Sequence, residues 1–224
     1  MNDQIYEARQ RICETGALLF ERFLTDAAGG NISVRVGDLI CITPRYSGAK
    51  FHWKLRPEQI LVVDGDGKVL EGDGTISRES RVHLELYKEF PDGQAVVHSH
   101  PRNVLVFCSA GVPIPPVIEA TFKFGMINVV SYAPSHSKEL AEKVVLGLRG
   151  QEHRVNIQAA AVLARWHGLF VLAKDLDAGF DATERIDTNA RCILLGSLLS
   201  QGITIAKNRS QQLESDLSIY GKEA

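Results

Sequence analysis

Ala95-Val96-Val97-His98-Ser99-His100-Pro101 is the stretch on which the fold and the chemistry of this chain turn. Three small or branched apolar residues in a row suit a short strand buried on both faces. Side chains two positions apart on a strand share a face, with Cα atoms ~6.5 Å apart. His98 and His100 can therefore converge on one ion at the ~2.0–2.1 Å of a zinc–imidazole bond. Pro101 suits the first turn of a following helix, so the pair sits near a mouth rather than in the core. The alternative is a pair of partly exposed histidines at a strand end, hydrogen-bonded to backbone. A second fragment, His167-Gly168, adds weight to the ligand reading, because it too adjoins an apolar strand and its glycine lets backbone or substrate come close. Three histidines suit a catalytic zinc with an open position. His52, His83, His136 and His153 lie in polar or helical settings and are read as surface or structural.

Outward from this strand, the pattern before it is of hairpins. Ile32, Val34 and Val36 alternate with polar residues, Gly37-Asp38 supplies a turn, and Leu39 to Thr43 read as the return strand. Ile60–Val63 and Lys68–Leu70 flank a second turn, Asp64-Gly65-Asp66-Gly67. Asp3 to Leu24 has helical apolar spacing, and a helix is expected from a Ser77 N-cap to Phe90, stopped by Pro91. After the histidine strand come a strand over Ile127–Tyr132, a serine-capped helix over Ser135–Leu148, and strands at Ala159–Ala164 and Leu169–Ala173. Asp175 caps a last long helix reaching Leu199, and Ile193-Leu194-Leu195 with Leu198-Leu199 read as core. The expectation is one α/β domain over residues 1–224, with a central, mostly antiparallel sheet covered by helices and a C-terminal tail from about residue 200.

Composition excludes several classes of function. The 25 basic and 27 acidic residues of the 224 leave a net charge of −2, which gives no electrostatic case for nucleic acid or an anionic membrane. No run approaches the ~18 apolar residues of a membrane span. Cys13, Cys41, Cys108 and Cys192 are unpaired in spacing and read as reduced, buried thiols, so a cytoplasmic location is expected. Glu79, in the first turn of the Ser77 helix, is explained by the helix dipole alone.

Gly30-Asn31-Ile32-Ser33, Ile42-Thr43-Pro44, Ser77-Arg78-Glu79, Val97-His98-Ser99-His100-Pro101 and His167-Gly168 follow one another at separations that change these readings. Together they resemble the zinc-dependent class II aldolase/adducin-head family, over about Ile5 to Leu199. The resemblance implies the three-layer fold of that family and one Zn2+ held by His98, His100, His167 and Glu79, with Glu79 also moving protons. It implies a substrate-phosphate pocket at Gly30, Asn31 and Ser77, and at Ser47-Gly48 if Arg45-Tyr46 is an insertion ahead of the family's serine-glycine pair. Glu119 falls where the family's aldolases carry a tyrosine acid/base and its dehydratases a glutamate, and Tyr220 resembles the tail tyrosine that reaches a neighbouring subunit. The implied function is retro-aldol cleavage of a fuculose-1-phosphate-like ketose to dihydroxyacetone phosphate and an aldehyde, in a homotetramer. Alternatives within the resemblance are a methylthioribulose-1-phosphate-type dehydratase, a sugar-phosphate 4-epimerase and a non-enzymatic adducin-like binding module.

Overall fold

The computed structural model describes residues 2–220, with side chains described through residue 202 and at residue 204. Eight strands form one sheet: β1 (Asn31–Val36), β2 (Leu39–Ile42), β3 (Leu61–Val63), β4 (Val69–Glu71), β5 (Ala95–Ser99), β6 (Val129–Val130), β7 (Ala159–Ala164) and β8 (Gly168–Ala173). Their order is β4-β3-β2-β1-β5-β8-β7-β6. Every pairing is antiparallel except the parallel pair β6 and β7. The expected α/β architecture is thus present.

β5 and β8 lie at the centre, and all eleven of their residues are buried. Alternation divides β5 between two cores. Val96 joins Phe170, Leu172 and Val162 under α2 (Ser80–Glu89) and α4 (Lys138–Leu148). Val97 faces the other way, where an added Cβ at Gly179 of α6 (Leu176–Tyr220) would stand 3.1 Å from its methyl group. On that second side α1 (Asn2–Glu21) buries Ile5, Ala8, Ile12 and Leu19, a helical stripe, and α3 (Arg102–Ala110) buries Val104, Phe107 and Cys108. Each fully buried aliphatic side chain contributes about 1.5–3 kcal/mol of transfer free energy, so this centre is the stiffest part of the sheet.

Several boundaries differ from expectation for identifiable reasons. Helix α2 begins at Ser80, not Ser77, because the backbone turns at Ser77: its carbonyl accepts from Ser80 N at 3.1 Å and its hydroxyl from Glu79 N at 3.3 Å. The cap of α4 is Ser137, whose hydroxyl accepts from Leu140 N at 3.0 Å, rather than Ser135. The strand expected over Ile127–Tyr132 shrinks to Val129–Val130, since Ile127 pairs instead with Ile114. A short helix, α5 (Glu152–Ile157), has no counterpart in the sequence reading. Asp175 does cap α6, accepting from Ala178 N at 2.7 Å.

Contacts divide the chain into two units, Met1–Ala190 and Arg191–Ala224, so the boundary falls within α6. The helix passes Leu199, where it was expected to stop, because no proline interrupts it there. The expected packing of Ile193–Leu199 in the core is corrected: Leu195, Leu198 and Leu199 are exposed, since the last buried position of the body is Ala190. Cys41 and Cys108 are buried as expected, whereas Cys13 is half-buried and Cys192 exposed. Among the described residues no helix is long and apolar enough to cross a membrane.

Candidate metal centre

One edge of the sheet carries the site. β1 starts there, β2, β5, β6 and β7 end there, and β8 starts there, as their pairing directions require. Strand order therefore lays out the site in space. The loop after β2 and the turn before β1 come first, His98 and His100 at the end of β5 come next, then His167 before β8, and the segment after β6 closes the row.

His98 is fully buried, its ring stacked on Phe170 with centroids 4.0 Å apart. Its Nδ1–H donates to the Leu169 carbonyl at 2.9 Å, which leaves Nε2 with a lone pair. His100 Nδ1–H donates to the Asp26 carboxylate at 3.1 Å, again leaving Nε2 as acceptor. His167 Nδ1 lies 3.4 Å from Ser135 Oγ, and its Nε2 points inward, 3.1 Å from His98 Nε2. Gly168 makes this approach possible, because a Cβ there would sit 2.7 Å from both His100 Cδ2 and the Ser99 carbonyl.

Glu79 completes the cluster: Oε2 is 3.1 Å from His98 Nε2, and Oε1 is 3.2 Å from His167 Nε2. It occupies the N-cap position of α2 yet makes no capping bond, since its carboxylate turns to the imidazoles instead. Burial opposes its ionisation, but His98 and His167 beside it hold the carboxyl well below the usual range. Burial pushes His98 down to about 4 against the pull of Glu79.

These donors fit a divalent cation. The ligand atoms of His98, His100 and His167 lie within 4.8 Å of one another. His100 Nε2 is buried with no hydrogen-bond partner, and an unmet buried acceptor is costly. With Nδ1–H committed to Leu169, His98 Nε2 aims a lone pair at both His167 and a carboxylate, an arrangement that needs positive charge between them.

Around the centre a cavity of about 310 Å³ is lined by Gly30, Asn31, Ser47, Gly48, Ser77, Glu79, His100 and His167, so every expected phosphate-pocket residue shares it with three of the four metal candidates, and His98 lies buried behind. Asn31 Nδ2 donates to Ser77 Oγ at 3.0 Å, and its Oδ1 accepts from buried His83, which also contacts Ser33 Oγ at 2.6 Å. Ser47 Oγ donates to the Pro44 carbonyl at 2.7 Å, which turns its hydroxyl proton away from the cavity. The turn that follows is wound by Lys50 N to Tyr46 O and His52 N to Gly48 O, both 2.9 Å. Among the described residues the N–H groups at Ser47–Ala49 have no protein acceptor, an anion-seeking arrangement.

One expected residue is not brought in, and the side chain of another lies outside the described residues. Glu119, itself exposed, opens a 3-10 turn, Glu119–Phe124, and is absent from the cavity lining. Tyr220 ends α6, and its side chain lies outside the described residues. Conversely, the placing of His136 with surface or structural histidines is corrected: it lines the cavity, Nδ1 3.5 Å from Glu79 Oε1. Asp26, Ser135 and Trp166 were also missed. His136 (φ 68°), Trp166 (φ 60°) and Tyr46 (φ 69°) all adopt left-handed backbone and all line the cavity, a clustering of strain expected at functional sites. No residue-type pattern announces such conformations in advance.

With this geometry in place, the likeness to known proteins can be read. The profile of the Class II Aldolase and Adducin N-terminal domain matches residues 10–194. A 5-deoxy-D-ribulose 1-phosphate aldolase of Bacillus thuringiensis is 26% identical over 222 residues, covering 98% of this chain and 99% of that one. An L-fuculose phosphate aldolase of Haemophilus influenzae is 30% identical over 210 residues, covering 93% and 91%. The solved structure of an L-fuculose 1-phosphate aldolase superposes with a TM-score of 0.74 at 29% identity, covering 86% of this chain and 87% of that one. The chain belongs to the class II aldolase and adducin N-terminal domain family.

Proposed function

We propose that this chain is a zinc-dependent, cytoplasmic lyase that cleaves a phosphorylated ketose to dihydroxyacetone phosphate and an aldehyde. The observation that carries the reading is the convergence of three Nε2 atoms and the Glu79 carboxylate beside a cavity whose other end is lined by unengaged backbone N–H groups. A scaffold-only module has no use for such a donor set. The names of the similar proteins, aldolases of 5-deoxy-D-ribulose 1-phosphate, L-fuculose phosphate and L-fuculose 1-phosphate, point the same way.

In this reading His98, His100, His167 and, before substrate arrives, Glu79 hold the ion. When bound, the ion supplies positive charge against the negative charge that develops on the carbonyl oxygen as the neighbouring carbon–carbon bond breaks. Gly30, Asn31, Ser47, Gly48 and Ser77 bind the phosphate and fix the ketose along the cavity. Retro-aldol cleavage removes the proton of the hydroxyl β to the carbonyl, breaks the bond, and returns a proton to the carbon left behind. In this reading Glu79, ionised and 6% exposed, takes up a proton from water in the cavity and returns it to the carbon. The oxygen-side proton is assigned to Glu119 and Tyr220. Since Glu119 does not line its own chain's cavity, both are read as reaching the site of a neighbouring copy in a homotetramer.

One observation favours a second reaction on the same site. A glutamate at 119, where the family's aldolases carry tyrosine, suits β-elimination of water from a sugar phosphate. Incubation with a series of ketose 1-phosphates separates the two: release of dihydroxyacetone phosphate supports cleavage, and loss of water with all carbons retained supports dehydration. Turnover of none of them by zinc-loaded protein would contradict both.

A further inference from the structure

We infer that Asp26 is the positioning residue of this centre: its carboxylate sets the donor strength and direction of His100 and ties that ligand to the anion-binding turn. The inference rests on the metal reading above and deepens it.

A single oxygen, Oδ1, accepts from three donors: His100 Nδ1 at 3.1 Å, Ala28 N at 2.9 Å and Gly29 N at 3.2 Å. The first fixes a ligand ring, and the other two shape the turn that ends at Gly30 and Asn31. Asp26 itself is clamped from the backbone side. Its carbonyl accepts from the indole Nε1 of fully buried Trp53 at 2.9 Å, and a Cβ at Gly48 would come within 2.7 Å of the same oxygen. Gly29 packs its bare Cα against His100, where a Cβ would lie 2.8 Å from Cε1. Turn and ring are therefore one packed unit, with Asp26 at its hinge.

The three imidazoles are not equivalent in this respect. His98 donates its Nδ1–H to a neutral carbonyl and His167 lies beside a neutral hydroxyl, whereas His100 donates to a carboxylate. A charged acceptor behind a ligand ring raises the basicity of the opposite nitrogen and holds the ring in orientation, and losing such a partner typically costs about 10–100-fold in metal affinity. His100 is also the ring whose Nε2 is buried without any partner in the protein, so it depends most on having its orientation imposed.

The test is a zinc titration of the full chain against a chromophoric chelator, on wild type, Asp26→Asn and Asp26→Ser, with the thermal midpoint of each metal-free protein measured alongside. Asparagine and serine keep an oxygen for the turn N–H groups and remove the charge behind His100. The expected result is a Kd for zinc raised about 10–100-fold in both variants, with metal-free midpoints close to wild type. A Kd within about twofold of wild type in either folded variant would overturn the inference. Should Asp26→Asn fail to fold, Asp26→Ser carries the test. Failure of zinc to bind the wild-type chain is a separate outcome: it removes the metal reading itself, and this inference with it.

Discussion

The two walls of the cavity are built on opposite plans. The inner wall is closed: Asn31 is 2% and Glu79 6% exposed, both are backed by His83 and His98 at 0%, and each of the four hydrogen-bonds or pairs with another of the group or with the sheet. The outer wall is open: Tyr46 is 55% and Trp166 61% exposed, His136 is exposed too, and all three adopt left-handed backbone. A wall made of central strands and the buried start of α2 can hold donor atoms to fractions of an ångström, because its neighbours have nowhere to move. A wall made of loops is free to vary with the substrate. On the proposed function, the first carries the chemistry and the second the selection.

The largest expected effect breaks the inner wall. His98→Ala removes a ligand, and turnover should fall by at least about a thousandfold together with loss of bound metal, since Lewis-acid stabilisation is worth several kcal/mol. A variant that keeps its metal and its rate would show that the buried donors are not the centre. Next comes the open side. Glu119→Gln should retain metal while cutting turnover by about 10²–10⁴, the usual worth of a positioned proton carrier. Full activity would return Glu119 to the solvent-exposed surface on which the single chain places it.

Smaller effects concern stability, and they sharpen the contrast. Gly168→Ala pushes a methyl group to 2.7 Å from the Ser99 carbonyl and His100 Cδ2. It should cost about 1–3 kcal/mol in denaturant unfolding. A neutral result would mean the inner wall has slack. His83 tests burial through pH. Burial pushes it from its ordinary 6.5 to about 3. Between those values the unfolded chain binds a proton that the folded chain does not. Its contribution to stability is therefore intact above pH ~6.5 and lost at about 1.4 kcal/mol per unit as pH falls toward ~3. His83→Gln should flatten that part of the stability profile, and an unchanged slope would contradict the assignment.

The same contrast explains what could be read without a structure. Ala95–Pro101 and the apolar strands beside His167 announce themselves, because central strands carry unbroken apolar runs and place period-two histidines on one face. Gly30, Asn31 and Ser77 became legible only through the resemblance, since a turn and a serine have ordinary local reasons to exist. Glu79 too is legible only through the resemblance, since the helix dipole alone accounts for an acidic residue there, and its carboxylate turns to two imidazoles instead of capping the helix. Asp26 and His136 stayed hidden because they meet the site through contacts 74 and 57 positions distant in sequence, with His100 and Glu79 respectively. The run Ile193–Leu199 misled for the opposite reason: apolar spacing marks a face that wants covering and does not say what covers it.

The central claim is that the buried donors form a metal centre, and its most direct test is metal stoichiometry. Protein dialysed against metal-free buffer, then reconstituted with zinc and desalted, is assayed by mass spectrometry for metal per chain. The account predicts about one zinc per chain, lost in His98→Ala. A wild-type chain that retains no zinc after reconstitution would contradict it.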